Sequence, residues 1–105
     1  MDGELIMANG TSFAICDRKG FHITFENGCT VSVQFGGGNY CDNYDRPIGR
    51  GDEVPPSRDA EIAGWRPNGD WITMPDWDDD VSGRNSPAAV LAYMNHVAAL
   101  PAEEN

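Results

Sequence analysis

Positive charge is scarce in this sequence. Seven Lys and Arg stand against seventeen Asp and Glu in 105 residues, a formal charge of -10, and a surface of that sign repels phosphate backbones and anionic lipid headgroups. Direct binding to nucleic acid or to a membrane is therefore disfavoured. Encounter with a basic protein surface is accelerated by the same field. Cysteine is scarce too: Cys16, Cys29 and Cys41 are odd in number and irregularly spaced. That excludes a complete disulfide framework and predicts a reducing, cytoplasmic compartment. Long apolar runs are missing, since no stretch approaches the roughly 18 residues of a membrane span. Met1 to Asn9 also lacks the basic and apolar regions of a secretion signal, so neither export nor insertion is expected.

What the chain does have is apolar material. Hydrophobic residues make up 40%, with three Trp, three Tyr and four Phe, more than an acidic disordered chain carries and enough for one modest core. A single domain spanning residues 1–105 is expected.

From Thr11 to Phe35 the apolar positions alternate: Phe13, Ile15, then Phe21, Ile23, Phe25, then Val31, Val33, Phe35. Period two predicts strands over about 11–17, 21–26 and 29–35, buried on one face and wet on the other. Parity selects the turns, because a one-residue slip would set apolar against polar. A three-residue loop Glu26-Asn27-Gly28, with Gly28 at the left-handed position, pairs Phe25 with Cys29, Ile23 with Val31 and Phe21 with Val33. A second, Arg18-Lys19-Gly20, pairs Ile15 with Ile23 and Phe13 with Phe25 and places Cys16 opposite His22. A third turn at Pro67-Asn68-Gly69 joins strands of about 60–66 and 70–75 and sets Trp65 facing Trp71.

Residues 36–59 hold five glycines and three prolines without helical or strand periodicity, which predicts a long loop and the first place to look for a site. A shorter loop spans 75–85. Ser86 and Pro87 read as N-cap and first residue of a helix over about 87–100, with Val90, Leu91, Met94, Val97 and Ala98 along one face. The predicted class is α+β: an antiparallel meander of about five strands packed against one C-terminal helix.

The chemistry-bearing residues are weighed in the same way. Asp76, Asp78, Asp79 and Asp80 do not form a calcium loop, because the sixth and twelfth positions counted from Asp76 are Val81 and Pro87, not Gly and Glu. Cys16 and His22 lack the orienting group and cleft of a nucleophile and base. Gly36-Gly37-Gly38-Asn39 follows a strand but lacks the lysine and helix of a phosphate loop. No catalytic residue, metal site or cofactor is expected. Tyr40 and Tyr44, being aromatic side chains on a loop, are candidate binding residues. With Asp42, Asp45, Asp76, Trp77, Asp78, Asp79 and Asp80 they compose an expected partner-binding surface. Either the face carrying Trp65 and Trp71 or the face carrying Ile62, Ile72 and Met74 must pack inward, and whichever remains outside adds to that surface.

The runs Phe25-Glu26-Asn27-Gly28, Thr30 to Phe35, Gly38-Asn39-Tyr40-Cys41-Asp42, Ala60-Glu61-Ile62-Ala63 and Gly69-Asp70-Trp71 resemble small phage and prophage proteins of unknown function. The resemblance brings no catalytic motif with it. It implies a context, the host cytoplasm, in which short acidic proteins act as stoichiometric inhibitors, anti-CRISPR proteins and DNA mimics among them. The expectation is thus a binding protein that occupies a basic surface of a nucleic-acid-handling host or defence protein. The alternatives are a small enzyme or ligand-binding domain built on loop 36–59, and a virion or assembly component. A homodimer paired through an edge strand is also compatible.

Overall fold

The alternating segment folds into consecutive hairpins, and the computed structural model describes residues 11–102. The leader reading of Met1 to Asn9 lies outside the described residues. Five strands, β1 (Ser12–Cys16), β2 (Gly20–Thr24), β3 (Thr30–Gln34), β4 (Ala60–Trp65) and β5 (Ser82–Asn85), form one antiparallel sheet in the order of the chain. One helix among the described residues, α1 (Pro87–Ala98), follows and packs across β3, β4 and β5. The architecture is the α+β meander that the periodicity predicts. No helix among the described residues is long and apolar enough to cross a membrane.

The β2–β3 hairpin has the predicted register, Phe21 opposite Val33 and Ile23 opposite Val31, with Gly28 at φ 87° where an L side chain would be strained. Asn27 does more than turn the chain. Its Oδ1 accepts from the Cys29 N–H at 3.0 Å while its Nδ2 donates to the Val97 and Leu100 carbonyls at 2.8 and 2.9 Å. One amide thus satisfies carbonyls at the helix end and ties that end to the turn.

The β1–β2 register differs from expectation by two residues. Phe13 faces Ile23, Ile15 faces Phe21 and Cys16 faces Gly20, so the turn is Asp17-Arg18-Lys19. Gly20 belongs to the strand because a Cβ there would collide with the Val33 carbonyl oxygen. Its missing side chain permits close strand approach, and Asp17 and Arg18 take the positive φ values themselves, 40° and 64°. A shift of two preserves the faces, so Phe13 and Ile15 still share the side of Ile23 and Val31. They are nevertheless 78% and 87% exposed, because α1 does not reach β1.

The fifth strand is a second correction. Residues 70–75 contribute only a bridge between Trp65 and Trp71, and Ser82–Asn85, expected in a loop, takes the place beside β4. After that bridge the Ile72 N–H still bonds the Gly64 carbonyl at 2.9 Å, but Ile72 is buried in the core, and Pro75 interrupts the run. This decides which face of that hairpin is inward: Ile62 and Ile72 are buried, while Trp71 remains 49% exposed.

The core joins Val31 and Val33 of β3 and Ala60 and Ile62 of β4 to Val90, Tyr93 and Val97 of α1. Ser86 caps the helix, its hydroxyl accepting from the Ala89 N–H at 3.1 Å. Leu91 and Ala98, expected on the buried stripe, are exposed, and Tyr93 takes the central place. Its ring fits because residue 64 has no side chain: a Cβ there would strike the Tyr93 hydroxyl. That hydroxyl donates to the Ile72 carbonyl at 2.6 Å, so its polarity is satisfied in the interior.

Candidate functional site

Loop 36–59 has no helix or strand, as its composition predicts, yet it is pinned from within. Asn43 is fully buried, and its Nδ2 donates to the Phe35 carbonyl at 2.9 Å and the Pro55 carbonyl at 3.0 Å, clasping the two ends of the loop together. Its Oδ1 has no partner among the described residues. The two accepting carbonyls nonetheless fix the amide orientation, since a flip would set oxygen against oxygen twice. Sequence reading missed this residue.

Asp42 has its carboxylate engaged inside the loop. It accepts from the Arg58 side chain at 2.9 and 3.1 Å and from the Arg58 backbone N–H at 2.9 Å, and its own N–H bonds the Asp59 carboxylate at 2.8 Å. The Arg58 side chain and its N–H hold the Asp42 carboxyl well below the usual range, down to about 2. A carboxyl lowered on folding stabilises above its unfolded pKa of about 3.9 and loses that contribution as pH falls towards 2. Asp42→Asn is therefore expected to flatten the acid limb of stability. Urea midpoints measured from about pH 5 to about pH 2 should converge for the two proteins, and parallel curves would count against the pairing.

Tyr40 and Tyr44 stack with ring centroids 5.4 Å apart and planes 19° from parallel, and both are exposed. Tyr40 rests against β5. The Tyr40 carbonyl accepts from the Arg84 N–H at 2.9 Å, and a Cβ on Gly83 would fall 2.6 Å from that of Tyr40. Asp45 beside them is exposed. The acidic loop enters the same strand from its other end: Asp76, Asp78, Asp79 and Asp80 are all exposed and form no ion pair among the described residues. The structure thus brings Tyr40 alongside the edge strand that these aspartates lead into.

Trp77 turns away from the acidic loop whose binding surface it was expected to share. Its ring lies 4.8 Å from Tyr93 and packs on the core. The exposed aromatic surface is instead on the sheet face away from the helix, where Trp65 meets Trp71 edge-on at 5.9 Å and His22 at 5.2 Å. His22 faces Ala14 across the hairpin, so Cys16 and His22 are not paired. Among the described residues no three His, Cys, Asp or Glu side chains converge.

No family model matches the chain, and no curated protein or solved structure is detectably similar to it.

Proposed function

We propose that the chain is a non-catalytic binding protein whose β5 margin engages a basic surface on a partner protein, of the kind found on nucleic-acid-handling host or defence proteins. One observation carries the reading: four exposed aspartates, without an ion pair among the described residues, run directly into an edge strand against which Tyr40, stacked on Tyr44, is held. Carboxylates steer a cationic partner from a distance, and rigid aromatic rings supply contact area once it arrives. Asp42 and Trp77 are already engaged within the molecule, by Arg58 and Tyr93. A phage-encoded inhibitor, the function implied by the resemblance, is the biological setting this reading favours.

The test is capture of partners from host lysate with the purified protein, repeated with Asp76, Asp78, Asp79 and Asp80 all changed to Asn, and with Tyr40→Ala and Tyr44→Ala together. The wild type should retain a basic protein at low salt and release it as salt rises. Both variants should retain markedly less while remaining folded. Retention that ignores salt and survives the neutralised loop would sink the electrostatic reading. Loss of effect on changing Cys16 and His22 alone would point to chemistry instead.

A further inference from the structure

The scarcity of positive charge makes its distribution informative. Four of the seven basic residues, Arg18, Lys19, Arg46 and Arg50, line one cavity of about 700 Å³ between the β1–β2 turn and the long loop. Asp17 supplies the sole carboxylate in that lining. Among the described residues the side chains of Lys19, Arg46 and Arg50 make no hydrogen bond or ion pair, the described ion pair being Arg58 with Asp42. In a chain of net charge -10, four cationic side chains against one carboxylate give this cavity a net positive lining. Such a lining favours a bound anion.

The cavity is built rather than incidental. Asp17 and Arg18 hold φ values of 40° and 64°, a region L residues rarely adopt, and so keep Arg18 and Lys19 at the rim. Arg18 donates to the carbonyls of Gly49 and Asp52, which fixes the 49–52 wall. The Asp52 carboxylate braces the same wall by accepting from the Gly49 N–H at 2.8 Å, which leaves Lys19, Arg46 and Arg50 as the cations open to a ligand. Gly36 forms the opposite wall, where a Cβ would fall 2.7 Å from Cγ of Lys19. Arg46 is placed by its N–H bond to the Asn43 carbonyl at 3.0 Å. Pro47, Ile48 and Val54 add apolar lining.

We propose that this cavity binds a phosphorylated small molecule of nucleotide size, its phosphates on Lys19, Arg46 and Arg50 and its body against Pro47, Ile48 and Val54. Guanidinium forks match phosphate oxygens, and the volume lies within the roughly 300–1,000 Å³ of small-ligand sites. A long polyanion is disfavoured, because beyond the cavity it would meet the acidic remainder of the surface. The inference does not depend on the β5 margin: its residues and its test are separate from those of partner capture.

The test uses the full chain, ¹⁵N-labelled at low salt, titrated with ADP, inorganic pyrophosphate and adenosine. ADP and pyrophosphate should shift the amides of Lys19, Gly36, Gly37 and Arg50 saturably, and adenosine should not. Arg46→Ala with Arg50→Ala should weaken ADP binding by about tenfold or more, with Lys19→Met as an independent second variant and Arg66→Ala, outside the cavity, unchanged. The same spectra report whether each variant is folded. Three results would each overturn the proposal: adenosine binding as well as ADP, shifts spread equally to Arg58, Arg66 and Arg84, or no saturable shift at millimolar ligand.

Discussion

Tyr93→Ala is expected to destabilise the protein by about 3–5 kcal/mol, the range for removing a fully buried aromatic ring. The residue joins three parts of the molecule: its ring lies over Gly64, its face meets Trp77, and its hydroxyl bonds the Ile72 carbonyl. Removal would leave a void in the core, an orphaned carbonyl and an unsupported tryptophan. Tyr93→Phe isolates the second of these effects and should cost about 1–2 kcal/mol. Gly64→Val approaches the same contact from the sheet side and should be as damaging as the alanine, because β4 cannot retreat from the Thr30 carbonyl oxygen 3.1 Å from the new Cβ. Denaturant unfolding followed by Trp fluorescence gives all three values. For a domain of this size the alanine and valine variants should lose more than about 12 °C of thermal midpoint, and a loss near that of Tyr93→Phe would show that the ring is not central.

Asn43→Ala is the second large effect expected, about 2–4 kcal/mol, since it strips donors from two carbonyls and empties a buried site. The consequence reaches beyond stability. Asn43 holds together the loop that carries Tyr40 and Tyr44 towards β5 and Arg46 towards the cationic cavity. Tryptic cleavage after Arg50 should accelerate in the variant, because the local opening that precedes cleavage becomes easier. Asn43→Asp should be worse than alanine at neutral pH, placing a carboxylate against two carbonyl oxygens in a dry site. Unchanged cleavage together with a small loss of stability would show that other contacts hold the loop.

How far the sequence could be read follows from the range of the interactions involved. The β2–β3 hairpin was legible to the residue, because alternation and Gly28 specify it locally. Gly20 misled: the same residue type serves a turn by its torsional freedom and a strand by its lack of bulk, and only the position of Val33 shows which. The strand Ser82-Gly83-Arg84-Asn85 has no apolar alternation to detect, and its pairing is imposed by the exposed edge of β4. Tyr93 stands three residues after Val90 and four before Val97, so the helical stripe includes it; what is not local is its central place, set by a glycine 29 positions earlier and a carbonyl 21 positions earlier. The tyrosines and the acidic loop were legible as exposed residues. Nothing in their local sequence shows that Asp42 is already held by Arg58 or that Trp77 already packs on Tyr93. The cationic cavity joins residues 17–19 to 46–50, and no local motif connects them.

Because α1 roofs β3 to β5 and stops short of the first hairpin's outer strand, the molecule has two energetic tiers. Detaching β1 breaks one ladder of five residue pairs and leaves the cluster around Val31, Ile62 and Tyr93 intact. That margin can therefore fray in sub-global openings far cheaper than full unfolding. In thermodynamic terms the five-stranded sheet is a four-stranded cooperative unit with a detachable border, and substitutions at Phe13 or Ile15 fall on the border rather than on the unit.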